Sequence, residues 1–246
     1  MELHFIHLYP ELMSLYGEYA NLSVLKRHLE DLGVRVTITP LTFEDEKDFS
    51  SADLIYMGAG TEGGQKAVLE NLLPCRESLA QAAEGGALLL FTGNAMEILG
   101  QSVTDAAGRV WEGLGLAPFT TLETDRREPH DVIARPVLWE GRAVGFMNKC
   151  SRTLGVDSPL FSALDMGFGN EAQGGAEGYQ RGSVLATHLT GPVLVKNPAF
   201  TDLVVRRLFE AKGWPLPEAR PVYPHEEDAY AVTLQELSGR LAGGRS

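Results

Sequence analysis

Cysteine is nearly absent, with Cys75 and Cys150 the only two in 246 residues. Two are too few for a disulfide framework and do not carry metal-ligand spacing, so each reads as a small buried hydrophobe. Basic residues are also scarce: 21 Lys and Arg stand against 33 Asp and Glu, a formal charge of -12. A phosphate backbone or an anionic lipid surface is repelled by such a chain, which argues against nucleic acid as a partner. No run of about 18 apolar residues occurs, and the first ten residues carry no basic leader, so the expectation is a cytoplasmic protein without membrane insertion. Internal repeats and low-complexity blocks are missing as well.

What is present is a 44% apolar composition, enough for one large α/β core. Residues 2–8 alternate as a first strand. A helix follows, ending near Gly33 with Asn21, Leu22, Leu25 and Leu29 on one face. Residues 34–38 read as a second strand, 43–48 as an acidic loop or short helix, and 54–57 as a compact apolar strand entering a glycine-rich turn at 58–64. A helix over 65–85, broken at Pro74, leads to the continuous apolar run 87–91, the signature of a central parallel strand buried on both faces. This alternation predicts βαβ units and a doubly wound sheet.

Farther on, 132–139 and 142–147 read as a hairpin turning at Glu140 and Gly141, taken as an antiparallel extension. Residues 167–182 form a glycine-rich loop, 183–189 a strand, and Pro198 opens a helix through Phe209. A tail from Trp214 becomes helical up to Leu241. The expected organisation is one domain over residues 1–212, with 213–246 packed on or extending from it.

Ligands of open α/β sheets bind beyond the carboxyl ends of the strands, so the loops that follow the strands carry the functional expectation. In the turn 58–64, Gly58 and Gly60 allow backbone N–H groups close to a ligand, as oxyanion stabilisation requires; a plain glycine-rich connection is the alternative. Residues 91–95, with Thr92, Gly93 and Asn94, have the form of a nucleophile elbow. Residues 187–192 include His188 and place a base opposite it. Lys196-Asn197-Pro198 reads as a plain helix cap or as an anion site.

Five segments, in order, resemble one known family: LYPELMSLYGEYANLSVLKRHLE (8–30), DLIYMGAGTEGGQ (53–65), GALLLFTGNAMEILG (86–100), AVGFMNKCSRT (143–153) and GFGNEAQGGAEGYQRGSVLATHLTGPVLVKNPAFTD (167–202). They are similar to the CobB/CobQ-like class I glutamine amidotransferases, and within these to the GatD-type glutaminase subunits of lipid II isoglutaminyl synthase. The resemblance implies a three-layer αβα flavodoxin-like sandwich with a mainly parallel central sheet. It also implies glutamine hydrolysis by a Cys–His pair and delivery of ammonia to a Mur-ligase-like (MurT-type) partner. No cofactor or metal is expected; glutamine or another small molecule is the expected ligand.

The family elbow reads C-G-G-Y-Q-L-L-G, and counting back from Leu99-Gly100 puts Gly93 at the cysteine position. The family histidine lies in G-T-Y-L-H-G-P, which puts Thr190 at the histidine position. Glu97 stands where the family has glutamine, and Arg127-Glu128-Pro129-His130-Asp131 resembles the family's R-x-x-G-D pattern, with His130 in place of the glycine, which puts Arg127 at the position of its glutamine-binding arginine.

Glycine supplies no nucleophile, so the primary expectation is a catalytically degenerate subunit. The alternative is an active glutaminase in which a one-residue slip makes Thr92 the nucleophile and His188 its base. A 6.5 Å offset along a strand between positions 188 and 190 opposes that pairing, and Thr92 is expected to cap the following helix instead. A third reading makes Glu62, Glu97 or His188 the acid or base of an unrelated hydrolase or transferase.

Overall fold

The computed structural model describes residues 1–218 and 220–244. Its first sheet holds six strands: β1 (Glu2–Leu8), β2 (Arg35–Leu41), β3 (Leu54–Met57), β4 (Leu88–Thr92), β10 (Tyr179–Arg181) and β11 (Val184–Thr187). Their spatial order is β10-β11-β4-β3-β1-β2, parallel throughout except for the β10–β11 pair. Every residue of β3 and β4 is buried, as expected for central strands covered on both faces. β2 runs through Pro40, which an edge strand tolerates because one side of its backbone needs no partner.

Alternate residues of these strands feed two cores. Leu3, Phe5, Tyr56 and Leu90 pack with α1 (Ala20–Asp31) and α5 (Pro198–Ala211). Ile6, Ile55, Leu89 and Phe91 pack with α2 (Glu62–Leu72) and α3 (Arg76–Glu84) on the opposite face. Period-two alternation against helices on both faces gives the three-layer α/β arrangement. Asn21, Leu22, Leu25 and Leu29 form the buried stripe of α1, as the spacing indicates.

The expected antiparallel extension is instead a separate sheet. β5 (Ser102–Thr104), β6 (Val110–Glu112), β7 (Thr120–Pro136), β8 (Ala143–Leu154) and β9 (Phe161–Met166) form it in the order β6-β5-β7-β8, with β9 also on β7. The 17-residue β7 starts twelve residues before the expected strand because its first half, TTLETDRREPHD, is charged and half exposed and shows no apolar alternation. β5, β6 and β10 are three residues each, too short for a period to register.

Asn197 ties the second sheet to the segment leading into α5, which packs beside the first. It stands at the expected N-cap position of α5, but its side chain makes no capping bond. Its Oδ1 accepts from the Val144 amide at 2.8 Å, and its Nδ2 donates to the carbonyls of Val144 at 2.7 Å and Val193 at 2.8 Å. Val193 belongs to α4 (Val193–Lys196), a single turn before α5. The final helix, α6 (Pro224–Ala242), packs Leu237 against Ile133, Val144 and Met166. Among the described residues no helix is long and apolar enough to cross a membrane.

Replacing Asn197 with alanine leaves the buried Val144 amide and carbonyl without partners. A loss of about 2–4 kcal/mol follows from one to two unsatisfied buried groups. Urea unfolding checks this, with a lower midpoint and an unchanged slope; a shift too small to measure would mean that the side chain does not tie the second sheet to that segment.

Candidate active site

The chain leaves β4 at Thr92 and turns at Gly93, whose φ is 63°, into a 3-10 turn over Gly93–Leu99 rather than a helix starting near Met96. Left-handed backbone at the end of a central strand is the elbow geometry, and it costs glycine least. A β-carbon built on Gly93 would stand 2.5 Å from the β-carbon of Ala59 and 3.0 Å from Cγ2 of Thr190. Gly93 and Thr190 therefore face each other, with a methyl group in place of any ring. The Thr190 hydroxyl points elsewhere, donating to the Phe146 carbonyl at 3.3 Å.

Beside the elbow, the loop after β3 approaches the segment before α1 closely: a β-carbon on Gly58 would lie 2.8 Å from the Met13 carbonyl. The Gly60 amide donates to Asn94 Oδ1 at 2.9 Å, and Asn94 Nδ2 returns a bond to the Gly60 carbonyl at 3.0 Å. Gln65 Nε2 holds the Asn94 carbonyl at 2.6 Å. The Gly60 N–H, an amide expected to face a ligand, is thus engaged by a neighbouring side chain.

Thr92 is fully buried and does not cap the turn that follows. Its hydroxyl donates to the Glu18 carboxylate and lies 3.0 Å from the Tyr56 hydroxyl. The other Glu18 oxygen accepts from the Gly191 amide at 2.7 Å. Burial pushes the Glu18 carboxyl up, outweighing these hydrogen bonds.

His188 is equally committed. The strand ends at Thr187, so His188 lies beyond it, and the sequence expectation that His188 and Thr190 share one strand face is not met. Its Nδ1 sits 2.9 Å from Glu177 Oε1, whose carboxylate also accepts from the His188 amide and the Thr187 hydroxyl, both at 2.7 Å. Nε2 faces Thr153 Oγ1 at 3.3 Å and Glu97 Oε1 at 3.6 Å. The structure does not bring Thr92 and His188 together as a dyad.

Glu97 accepts from Ser151 at 2.5 Å and Gln65 at 2.7 Å. Burial alone would raise the Glu97 and Glu177 carboxyls, but bonds from His188 and its neighbours hold both below the usual range.

These groups surround a cavity of about 200 Å³ that includes Gly60, Gly93, Asn94, Glu97, His188 and Thr190 on one side. Arg127, Asn148, Lys149, Cys150 and Ser151 from the β7–β8 hairpin line the other. Arg127 sits at a register shift between Glu123 and Glu128, so its guanidinium leaves the sheet. It donates to Glu62 at 2.6 Å and to the Asn148 carbonyl at 3.0 Å. Cys150 shares Glu62, at 3.3 Å, and burial together with that carboxylate pushes its thiol up to about 11. Cys75 lies outside the cavity. Burial lowers Lys149 to about 8 while its ammonium donates to the Gly169 carbonyl at 2.6 Å.

Glu18, Glu177 and Lys149 were not singled out from sequence. Glu18 carried a signal, a lone acid inside the apolar stretch SLYGEYANL. Glu177 and Lys149 carried none, because their partners become neighbours only through the loop at 167–182.

The pH dependence of folding follows from the two classes of carboxylate. Glu18 is raised, so the folded state holds a proton that the unfolded chain releases, and stability falls as pH rises from about 4.5 through the folded value. Glu97 and Glu177 are lowered, so stability falls as pH drops from about 4.5 through theirs. Glu18→Gln should flatten only the decline on the high side, read as urea midpoints across pH. An unaltered profile would show that Glu18 titrates as it does in the unfolded chain.

Residues 5–198 match the family model for the CobB/CobQ-like glutamine amidotransferase domain. The chain is 27% identical over 214 residues to the GatD subunit of the glutamine-hydrolyzing lipid II isoglutaminyl synthase of Staphylococcus aureus, covering 87% of each protein. It is 29% identical over 198 residues to the corresponding Streptococcus pneumoniae subunit, covering 80% of this chain and 76% of that one. Among solved structures, a Thermotoga maritima glutamine amidotransferase aligns with a TM-score of 0.51 at 8% identity, covering 99% of this chain and 95% of that one. A second glutamine amidotransferase aligns at 0.50 and 13% identity, covering 85% of this chain and 98% of that one. The two structural likenesses speak for the fold alone, and the family match extends over most of the sequence. The chain belongs to the CobB/CobQ-like glutamine amidotransferase family.

Proposed function

We propose that this chain is a GatD-type amidotransferase subunit that no longer hydrolyses glutamine and acts with a Mur-ligase-like partner in amidating a cell-wall precursor. The observation that carries the reading is the elbow itself. Where amide hydrolysis through a covalent intermediate needs a thiolate, Gly93 offers a hydrogen, and the space for a β-carbon is already filled by the methyl groups of Ala59 and Thr190. The Gly60 amide, bonded to Asn94, is withdrawn from oxyanion stabilisation as well.

Relocated chemistry finds little support in the neighbouring groups. The Thr92 hydroxyl is spent on a hydrogen bond to the Glu18 carboxylate, while the His188 ring is held by Glu177. Cys150, the thiol in the cavity, has a value near 11, which leaves roughly one molecule in ten thousand as thiolate at pH 7. Both relatives are named as subunits of a two-component enzyme, and that supports a role alongside a second chain, with ammonia drawn from solution.

The test is ammonia release from L-glutamine, measured on the purified chain alone and with a Mur-ligase-like partner. Release should stay at the buffer background in both. Gly93→Cys should remain inactive and lower the melting temperature, because Ala59 must move to admit the side chain. The combined change Ala59→Gly, Gly93→Cys and Thr190→His should raise turnover above that of the single variant. Steady glutamine turnover by the unaltered chain would overturn the reading.

A further inference from the structure

The helix α6 follows the residues that match the family domain and touches both walls of the cavity's framework: α4 and α5 beside the first sheet, β7 and β8 of the second. We propose that α6 is a strap, an element that opens on its own and whose docking holds the β7–β8 wall of the cavity in register with the elbow wall. The inference does not depend on whether the cavity hydrolyses glutamine.

Three clasps and a small apolar patch, Leu237 with the partly buried Tyr230 and Leu234, hold it. At its start, the Tyr223 ring stacks on His28 of α1 with centroids 3.8 Å apart and planes 7° from parallel. His28 Nε2 lies 3.0 Å from Glu226, and the Tyr223 hydroxyl donates to Asp31 at 2.9 Å. In the middle, the Tyr230 hydroxyl donates to the Arg142 carbonyl at 2.8 Å. Near the end, Arg240 donates to Asp131 at 2.7 Å. Of the 19 residues in α6 only Leu237 is buried, whereas α5 buries eight of 14. An element held by surface hydrogen bonds, one fully buried side chain and two partly buried ones undocks well before the sheets lose their cores.

Its far clasp closes on the rung that leads to the site. Asp131 is the register partner of Phe146, and the Phe146 carbonyl accepts the Thr190 amide at 2.8 Å. Two and three rungs farther along the same hairpin, Pro129 pairs with Asn148 and Glu128 with Lys149, both cavity residues. Grip at Asp131 therefore bears on the spacing between the hairpin and Thr190. Because a state that changes this spacing also changes what the cavity binds, docking of α6 and occupancy of the cavity are linked reciprocally.

Amide hydrogen exchange on the full chain, read by mass spectrometry, tests the strap. The double variant His28→Ala, Arg240→Ala removes the His28 stack and its pairing with Glu226 at one end and the Asp131 bond at the other, without touching a cavity residue. Peptides from α6 should exchange at least about tenfold faster than in the unaltered chain while β3 and β4 keep their protection. Peptides covering 127–131 and 146–151 should accelerate with them. Leu237→Ala, which removes the buried side chain of the apolar patch and no clasp, should give the same pattern. If α6 exchanges only together with the central strands, it does not open on its own and the proposal fails. If α6 loosens while both hairpin peptides stay unchanged, the link to the cavity is absent and the proposal fails equally.

Discussion

The carboxyl ends of the central strands are organised around one buried carboxyl group. Glu18 takes donors from three places that are distant in sequence: the elbow through Thr92, β3 through Tyr56, and the segment after β11 through the Gly191 amide. Such a group is costly to bury, and its raised value records that cost. It persists because removing it would leave the Gly191 amide without its partner and break the Thr92–Tyr56–Glu18 network, and an unsatisfied donor costs more than a made bond returns. The separation between Gly93 and Thr190 is a consequence, since both flank atoms that Glu18 holds.

A second polar unit closes the same space from below. His188 lies between Glu177 and Glu97, and Glu97 reaches Ser151 on the opposite hairpin. Isolated, any of these charges would be expelled or neutralised; together each carboxylate has several donors, and hydrogen bonding outweighs desolvation. The network therefore has few free valences to offer a substrate. A carboxylate stabilised by three donors is also a weak base, which sets Glu97 apart from groups poised to take a proton.

How much was readable from sequence depends on whether a residue's partners are near it in the chain. The strands and helices of the first sheet announce themselves because β3 and β4 are apolar throughout and α1 carries an uninterrupted stripe, so local pattern and tertiary burial agree. The elbow position was legible for the same reason, being the glycine after the most apolar run. The second sheet was only half visible, since β7 wears Asp125, Arg126, Arg127 and Glu128 on a half-exposed surface. At the site, Gly93 and Thr190 could be placed by counting, yet what fills the gap between them could not. Ala59, Asn94 and Glu18 arrive from other loops, and no periodicity marks an alanine methyl that occupies the place of a side chain.

That filling bears on how such a pocket could regain or keep a chemical role. Three requirements of acyl transfer, a nucleophile at the elbow, a ring across from it and a free amide for the oxyanion, are each blocked by a different group: the Ala59 methyl, the Thr190 methyl and the Asn94 side chain. Because the three blocks surround the same turn at Gly93 and Gly60, changes there are not expected to combine additively. Relieving one leaves the geometry set by the other two, and Glu18 resists any adjustment that would part the elbow from the Gly191 segment. The cavity is on this account a packed arrangement in its own right, with the Arg127–Glu62 ion pair at its rim and Gly93, flanked by Ala59 and Thr190, at its floor.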